Sequence, residues 1–261
     1  MDTLNRFSNR VENYVKYRPA YPVEIILFLK EEGILTSQSV IADIGSGTGI
    51  SAELFLKNGN VVYGVEPNKE MRDAAQKILK TYTNFCSINA TAEGTMLPTE
   101  EIDLIIVGQA FHWFDKQKSK IEFERILKPE GYVVLMWNDR RTDSTSFLQA
   151  YEAFIKKFAI DYLEVNHKNI DDVIFNDFFA RPNEETGLGK KNYKMRSFDN
   201  FQYFDLDGLK GRILSSSYMP DQGHKNFDNM MHELENLFNS FQEKGKVTIE
   251  YDTKIYYEKL K

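Results

Sequence analysis

The sequence has 261 residues, of which 42% are hydrophobic and 28% charged, a composition typical of a globular protein with a sizeable core. Its formal net charge is -6 and it has no long run of Lys and Arg, which disfavours nucleic acid as a partner. The single cysteine, Cys86, excludes an intrachain disulfide and a multi-cysteine zinc site. With no signal peptide and no membrane-spanning apolar run, the sequence predicts a cytoplasmic protein.

The first predicted elements are a helix and a run of alternating strands and helices. The segment "PVEIILFLKEEGI" predicts a helix with Pro22 in its first turn. From about residue 39 to 138, short apolar runs alternate with helical patterns. The predicted strands are "VIADIG", "VVYGVEP", "NFCSINA", "IDLIIVG" and "YVVLMWN". This alternation favours a doubly wound parallel sheet with right-handed crossovers.

The pattern changes after the fifth predicted strand. Residues 139–245 are expected to form a helical elaboration on the ligand-binding side of the sheet. The C-terminal "KVTIEYDTKIYYEKL" alternates like a half-buried strand, so residues 246–261 are expected to rejoin the sheet. With residues 1–138 as an N-terminal lid and an α/β core, the prediction is one compact domain overall.

The stretch "IADIGSGTGISAELF" places three glycines between a predicted strand and a predicted helix. Gly45 permits a tight turn and Gly47 allows a ligand to approach the backbone, while the helix N-terminus offers unpaired N–H groups. Glu66 ends the next strand, about 20 residues after the first glycine, where a carboxylate can accept hydrogen bonds from ribose hydroxyls. A carboxylate there could instead cap the following helix. Together, the turn and Glu66 predict an adenosine-containing ligand.

The spacing of the glycines distinguishes between two kinds of adenosine-containing ligand. The dinucleotide fingerprint is G-x-G-x-x-G, and Ile50 occupies its third glycine position here. The spacing D-x-G-x-G-x-G, led by Asp43, instead resembles the S-adenosylmethionine (SAM) site of class I methyltransferases. That resemblance implies a Rossmann-like, mostly parallel seven-stranded sheet with an N-terminal helical lid and a helical insertion after strand five.

Further motifs narrow the resemblance. "NATAEGTMLP" resembles the segment after strand three, where the Ala92 backbone would meet the adenine edge; the broader family often has aspartate where this chain has Thr91. "GQAFHWFD" and "RILKPEGYVVLMW" resemble the methyltransferase type 11 family. The flanks "YVKYRPAYP" and "SSSYMP" resemble a subset that includes trans-aconitate methyltransferase-like enzymes.

The resemblance implies a cofactor site in which the glycine loop faces the methionine part of SAM. Asp43 would lie near its ammonium group and Glu66 beside the ribose diol, with Tyr17 or Arg18 of the lid near the SAM carboxylate or the acceptor. The implied cofactor-binding residues are Asp43, Gly45, Ser46, Gly47, Gly49, Glu66, Pro67, Thr91, Ala92, Glu93, Gln109, Tyr17 and Arg18.

A second group of residues is predicted to contact the methyl acceptor. His112 and Trp113 are predicted to line the cleft as catalytic residues, because methyl transfer is promoted by alignment of the reactants and exclusion of water. His112 could act as a general base or only orient the acceptor, since a carboxylate nucleophile needs no base. The acceptor-binding candidates are Tyr14, Tyr21, Arg140 and Tyr218. No metal site is expected, because the other three histidines, His167, His224 and His232, are isolated.

The sequence therefore favours a SAM-dependent methyltransferase acting on a small molecule, with an organic acid carboxylate as one candidate acceptor. A non-catalytic SAM-binding regulatory module is the main alternative. An NAD-dependent oxidoreductase shares the strand-turn-helix and Glu66 but not the glycine spacing. The Asn/Asp-Pro-Pro-aromatic motif of nucleic-acid amino-methyltransferases is replaced here by Gln109-Ala110-Phe111-His112.

Overall fold

A computed structural model of the protein describes residues 11–162, 172–180 and 191–261. The helices are α1 (Val11–Tyr17), α2 (Glu24–Glu31), α3 (Ile50–Lys57), α4 (Lys69–Ile78), α5 (Lys116–Ile126), α6 (Ser146–Phe158), α7 (Asp172–Phe179), α8 (Leu206–Leu214) and α9 (Phe227–Phe241). The strands are β1 (Val40–Ile44), β2 (Val61–Val65), β3 (Phe85–Ile88), β4 (Ile102–Gly108), β5 (Leu127–Arg140), β6 (Lys194–Phe204) and β7 (Val247–Lys259). A short 3-10 turn, Phe111–Trp113, follows β4.

The strands form one seven-stranded sheet in the order β3-β2-β1-β4-β5-β7-β6. Strands β1 to β5 run parallel to one another, whereas β7 is antiparallel to both β5 and β6. The predicted doubly wound, mostly parallel, seven-stranded sheet is therefore confirmed. In this arrangement β1, β2, β4 and β5 end at the same edge of the sheet, where open parallel sheets bind their ligands.

The sheet core follows from the apolar runs of the central strands. In β4, the side chains of Ile102, Leu104, Ile105, Ile106 and Val107 are all fully buried, because helices cover both faces of the sheet. The following helices begin at side-chain caps: Asn68 accepts a hydrogen bond from the backbone of Met71, and Asp115 from that of Lys118.

Two local predictions need correction. Residues 194–204, inside the segment expected to be helical, form strand β6 at the sheet edge. Their sequence, "KMRSFDNFQYF", has mostly polar and exposed side chains, because an edge strand with one solvated face needs little apolar surface. The strand predicted at "YVVLMWN" begins earlier, because α5 ends at Ile126 and Leu127 already pairs with Ile102 as the start of β5.

A second core lies beside the sheet. Helices α6, α8 and α9 pack with β7 around large apolar side chains, including Phe154, Leu209, Leu234 and Ile249. Helix α1 packs against α8 and α4 and has no buried residue of its own. A helix of seven residues is unstable in isolation, so α1 depends on these tertiary contacts. Within the described residues, no helix combines the length and apolar character needed to cross a membrane.

The contact between α1 and α8 gives a test of this packing. A Cβ placed on Gly211 of α8 would lie 2.0 Å from the Tyr17 ring, so Gly211→Ala forces that ring away. We expect the variant to lose about 1–2 kcal/mol of unfolding free energy, because overpacking outweighs the gain in helix propensity. Urea denaturation measures the loss. Gly223→Ala, where a Cβ meets nothing closer than 3.8 Å, is the matched control and should leave stability unchanged. Equal stabilities would contradict the close contact.

Candidate functional site

A continuous cleft runs along the carboxyl ends of the central strands. Its wide half, of about 1300 Å³ including space open to solvent, is lined by Glu66, Pro67, Asn68, Met71, Thr91, Ala92, Glu93, Ala110, His112, Trp113, Phe114 and Ser217. Its narrow half, of about 980 Å³ on the same measure, is lined by Pro19, Tyr21, Ser46, Thr48, Ile50, Ser51, Asn138, Arg140, Tyr162, Arg212 and Tyr251. Both halves are bordered by Tyr14, Arg18, Gly45, Gly47, Gly108, Gln109 and Tyr218.

The glycine turn after β1 forms the floor at the junction of the two halves. Gly45 has φ 70°, and a Cβ there would lie 2.5 Å from the Cβ of Ala110, so both conformation and space require glycine. Gly47, with φ 54°, has nothing within 4 Å of its Cβ position, which leaves its backbone accessible. Gly49, with φ 85°, packs against Leu79 at the start of α3 and does not line the cleft.

Glu66 joins the ends of β1 and β2. Its Oε2 accepts a hydrogen bond from the Gly47 N–H at 2.9 Å, and its Oε1 accepts one from the Asn68 N–H at 2.8 Å. A carboxylate has about four acceptor positions, so two remain for hydroxyl groups in the cleft. Burial raises the pKa of Glu66 above its ordinary value. The side-chain cap of α4 is Asn68, so Glu66 does not serve as that cap.

Asp43 lies beneath the glycine turn and does not line either half of the cleft. It is fully buried, and its Oδ2 accepts a hydrogen bond from the Ser51 hydroxyl at 2.6 Å. Its Oδ1 has no hydrogen-bond partner among the described residues. Burial raises the pKa of Asp43 from 3.8 to about 7. The structure thus places Asp43 as a support of the turn rather than at the surface that a ligand would touch.

The 3-10 turn after β4 carries His112 and Trp113 into the wide half of the cleft. Gln109 takes φ 59°, which turns the chain at the end of β4, and Ala110 and Phe114 then pack over Gly45. His112 and Trp113, with ring centroids 4.4 Å apart, therefore line the same half as Glu66. The three arginines border the narrow half on the other side of the turn, and the catalytic role of His112 and Trp113 stays a prediction. Thr91, Ala92 and Glu93 also border the wide half, as the resemblance implies.

Three arginines border the narrow half. Arg140, from the end of β5, pairs with Glu152 of α6, and its Nη1 is buried without a hydrogen-bond partner among the described residues. Arg212, from α8, is 6% exposed and donates to the hydroxyls of Tyr251, Ser215 and Ser216.

Arg18 follows helix α1 and also points its charge into a buried environment. Its Nη2 donates to the Ser215 carbonyl at 2.9 Å, and its guanidinium carbon lies 4.8 Å from the centre of the Tyr14 ring. Burial and the neighbouring positive charge of Arg212 lower the pKa of Arg18. Among the described residues, neither Arg18 nor Arg212 has a carboxylate partner. Because a buried cation is costly unless it is paired, this half is suited to bind an anion.

The remaining predicted residues fall into two groups. Tyr14, Arg18, Gln109 and Tyr218 border both halves of the cleft, and Tyr21 borders the narrow half, where its hydroxyl lies against Gly108. Tyr17 lies outside the cleft, because its ring packs against Gly211 and Phe204. Sequence reasoning missed Thr48, Asn138, Tyr162, Arg212 and Tyr251. Of these residues, only Arg212 could have been identified from the sequence, because its charge interrupts the apolar pattern of "LKGRIL".

No cluster of His, Cys, Asp and Glu among the described residues could hold a metal ion. His224 and His232 belong to that part of the chain, whereas His167 lies outside the described residues.

Comparison with known proteins matches the central part of the chain to a family model. Residues 42–135 match the family described as "Methyltransferase domain". An "Uncharacterized methyltransferase-like" protein of Schizosaccharomyces pombe is 28% identical over 162 residues, which cover 60% of this chain and 60% of the relative. A "Probable S-adenosylmethionine-dependent methyltransferase" of Saccharomyces cerevisiae is 24% identical over 148 residues, covering 55% of this chain and 50% of the relative. The matched region thus spans between half and three fifths of these relatives' lengths.

A solved structure shows the same fold over nearly the whole chain. It is a "Putative Type II Methyltransferase" from Anaeromyxobacter dehalogenans, with a TM-score of 0.69 and 17% sequence identity. The superposition covers 94% of this chain and 98% of the other.

The buried Asp43 carboxyl makes stability depend on pH. Because its pKa is higher in the folded than in the unfolded protein, its stabilising contribution is full below pH 4 and is lost as the pH rises through about 7. The side chain of Asp43→Asn stays neutral at every pH. The unfolding free energy of the variant minus that of wild type should therefore rise by about 2 kcal/mol between pH 5 and pH 8, because wild type loses stability over this range. Urea denaturation at both pH values measures this. The exposed Asp143→Asn is the control, and parallel behaviour of Asp43→Asn and wild type would refute the assignment.

Proposed function

We propose, from the premise that this chain carries a class I SAM-dependent methyltransferase domain of type 11, that the protein transfers a methyl group from SAM to a small organic acid. One observation carries the proposal. A single cleft joins the Glu66 carboxylate, which has two remaining acceptor positions, to a narrow half bordered by three arginines, of which Arg212 is buried and Arg18 and Arg140 are partly buried. The first feature suits the ribose of the cofactor, and the second suits an anionic acceptor.

The residues of the wide half fit SAM. Glu66 would accept hydrogen bonds from the ribose hydroxyls, with Pro67 beside it, and the backbone of Ala92 would meet the adenine edge. The open backbone at Gly47 would allow the methionine part to approach closely. Arg18, which borders both halves, would pair with the carboxylate of that methionine part.

SAM supplies an electrophilic methyl group on a positively charged sulfur. The chain contributes alignment of the two reactants and exclusion of water. Tyr14 and Tyr218 border both halves of the cleft, so they lie where cofactor and acceptor would meet. Aromatic rings at that position can stabilise a cation until its charge disperses in the transition state.

The narrow half would hold the acceptor through its arginines. Among the residues that the structure describes, Arg212 has only hydroxyl partners, and the Arg140 Nη1 has no partner beside the ion pair of this side chain with Glu152. A carboxylate acceptor matches these donors and is nucleophilic as the anion, so it needs no general base. The position of His112 in the wide half agrees with a reaction that uses none. We accordingly propose that residues 139–245, which contribute Arg140, Glu152 and Arg212, form the acceptor side.

The flanking motifs support the same class of acceptor. "YVKYRPAYP" contains Tyr14, Arg18 and Tyr21, and "SSSYMP" contains Ser215 and Tyr218. All of these except Ser215 border the cleft, and Ser215 holds Arg18 and Arg212. The resemblance of these two motifs to trans-aconitate methyltransferase-like enzymes therefore concerns residues that surround the proposed acceptor site.

The role of Glu66 can be tested by calorimetry. Glu66→Gln should weaken SAM binding roughly 10- to 100-fold, because it removes charge-assisted hydrogen bonds to the ribose. The exposed Glu101→Gln is the matched control and should bind SAM like wild type. An unchanged affinity of Glu66→Gln would remove Glu66 from the ribose role. Binding of NAD without binding of SAM would overturn the proposed function itself.

The role of the arginines can be tested by turnover. With labelled SAM and a panel of organic acids, amines and phenols, we expect wild type to methylate acids. Arg212→Met should lower kcat/KM for the acid about 30-fold or more, because a buried anion loses its cation. Arg196→Met, an exposed change on β6, is the matched control. Methylation of only neutral acceptors would refute the organic acid, and SAM binding without turnover on any acceptor would favour a regulatory module.

A further inference from the structure

The carboxyl end of helix α1 is held by a side chain from the sheet edge. The amide Nε2 of Gln202, on β6, donates to the Tyr17 carbonyl at 3.2 Å. Tyr17 is the last residue of α1, and a helix leaves its final carbonyls without partners inside the helix. Gln202 therefore caps α1 from outside. Gln202 itself borders neither half of the cleft.

The other end of the same amide is oriented by the narrow half. The Gln202 Oε1 accepts a hydrogen bond from the Tyr251 hydroxyl at 2.8 Å, and that hydroxyl accepts one from the Arg212 Nε at 3.3 Å. Arginine can only donate, so the single proton of the Tyr251 hydroxyl must go to Gln202. The amide oxygen of Gln202 is thereby directed to Tyr251, and its N–H to Tyr17. Each of the hydrogen bonds that link Arg212, Tyr251, Gln202 and Tyr17 therefore has one possible direction.

The chain of hydrogen bonds ends next to Arg18. The Tyr17 carbonyl belongs to the peptide group that joins Tyr17 to Arg18, while the guanidinium of Arg18 is fastened to the Ser215 carbonyl. Arg18 is thus held at both its backbone and its charged end. The neighbouring Ala20 carbonyl accepts a second amide N–H from β6, that of Asn200, at 2.8 Å. Together with the packing of α1 on α8 and α4, these polar contacts hold Arg18 in place.

We propose that Gln202 is a positioning residue for the cofactor. By capping α1, Gln202 holds Arg18 over the junction of the two halves, and Arg212 orients the Gln202 amide through Tyr251. The proposal rests on the proposed function, in which Arg18 pairs with the methionine carboxylate of SAM. It predicts that Gln202 affects only ligands that carry this methionine part. It also predicts that Gln202 and Tyr251 act as one unit.

The test compares SAM with 5′-methylthioadenosine, which has the adenosine and sulfur but no amino acid part. Gln202→Met should weaken SAM binding roughly three- to tenfold, the effect of one lost hydrogen bond. Its affinity for methylthioadenosine should stay within twofold of wild type. Tyr251→Phe should act in the same direction. The double variant should bind SAM about as well as the weaker single variant, because both changes interrupt the same chain. Calorimetry measures all of these affinities.

Tyr203→Phe is the matched control, since it removes a hydroxyl from an exposed position on the same strand. It should leave both affinities unchanged. The inference is overturned if Gln202→Met binds SAM like wild type, if both ligands weaken equally, or if the two single effects multiply in the double variant. If wild type binds both ligands and Gln202→Met binds SAM with the same affinity, only this inference is refuted and the proposed function stands. Wild-type protein that binds no SAM refutes the proposed function as well.

Discussion

Three guanidinium groups, one buried and two partly buried, surround one half of the cleft and constrain the structure around it. Arg140 comes from β5, Arg212 from α8, and Arg18 from the segment after α1, and among the described residues only Arg140 has a carboxylate partner. Removing cations from water is costly unless other groups replace the lost hydration. Here hydroxyls, carbonyls and aromatic rings do so, as with Tyr251 beside Arg212 and the Tyr151 ring beside Arg140. The positive charges of Arg18 and Arg212 are not neutralised by these groups, which makes this half suitable for binding an anion.

The second core makes that arrangement possible. Helices α6, α8 and α9 pack with β7 around large apolar side chains, and their packing holds Arg212 and Glu152 in place at the cleft. The edge strand β6 contributes on the other side, because its amides hold the backbone of residues 17–20. Elements far apart along the chain therefore meet at the narrow half, and its three arginines come together only when all of these elements are folded.

The wide half depends on much shorter stretches of the chain. The glycine turn follows β1 directly, Glu66 follows β2, and residues 91–93 follow β3, so the carboxyl ends of parallel strands bring them together without further help. The sequence could therefore predict most of this half. It did not predict the direction of the turn that carries His112 and Trp113, because the positive φ of Gln109 sets that direction and nothing in the local sequence indicates that φ.

The sequence by itself determined the parallel sheet, the position of the glycine turn and the Glu66 carboxylate, because apolar runs, glycine spacing and strand ends are local features of the chain. It did not determine β6, whose polar side chains carry no strong strand pattern. Nor did it determine the burial of Arg212, whose partners are Tyr251 on β7 and two serines that directly follow α8. Only the tertiary structure decided that Tyr17 packs against α8 while Arg18, the next residue, faces the cleft. A charge on a helix is ordinarily solvated, and it becomes part of a site only when distant elements close over it.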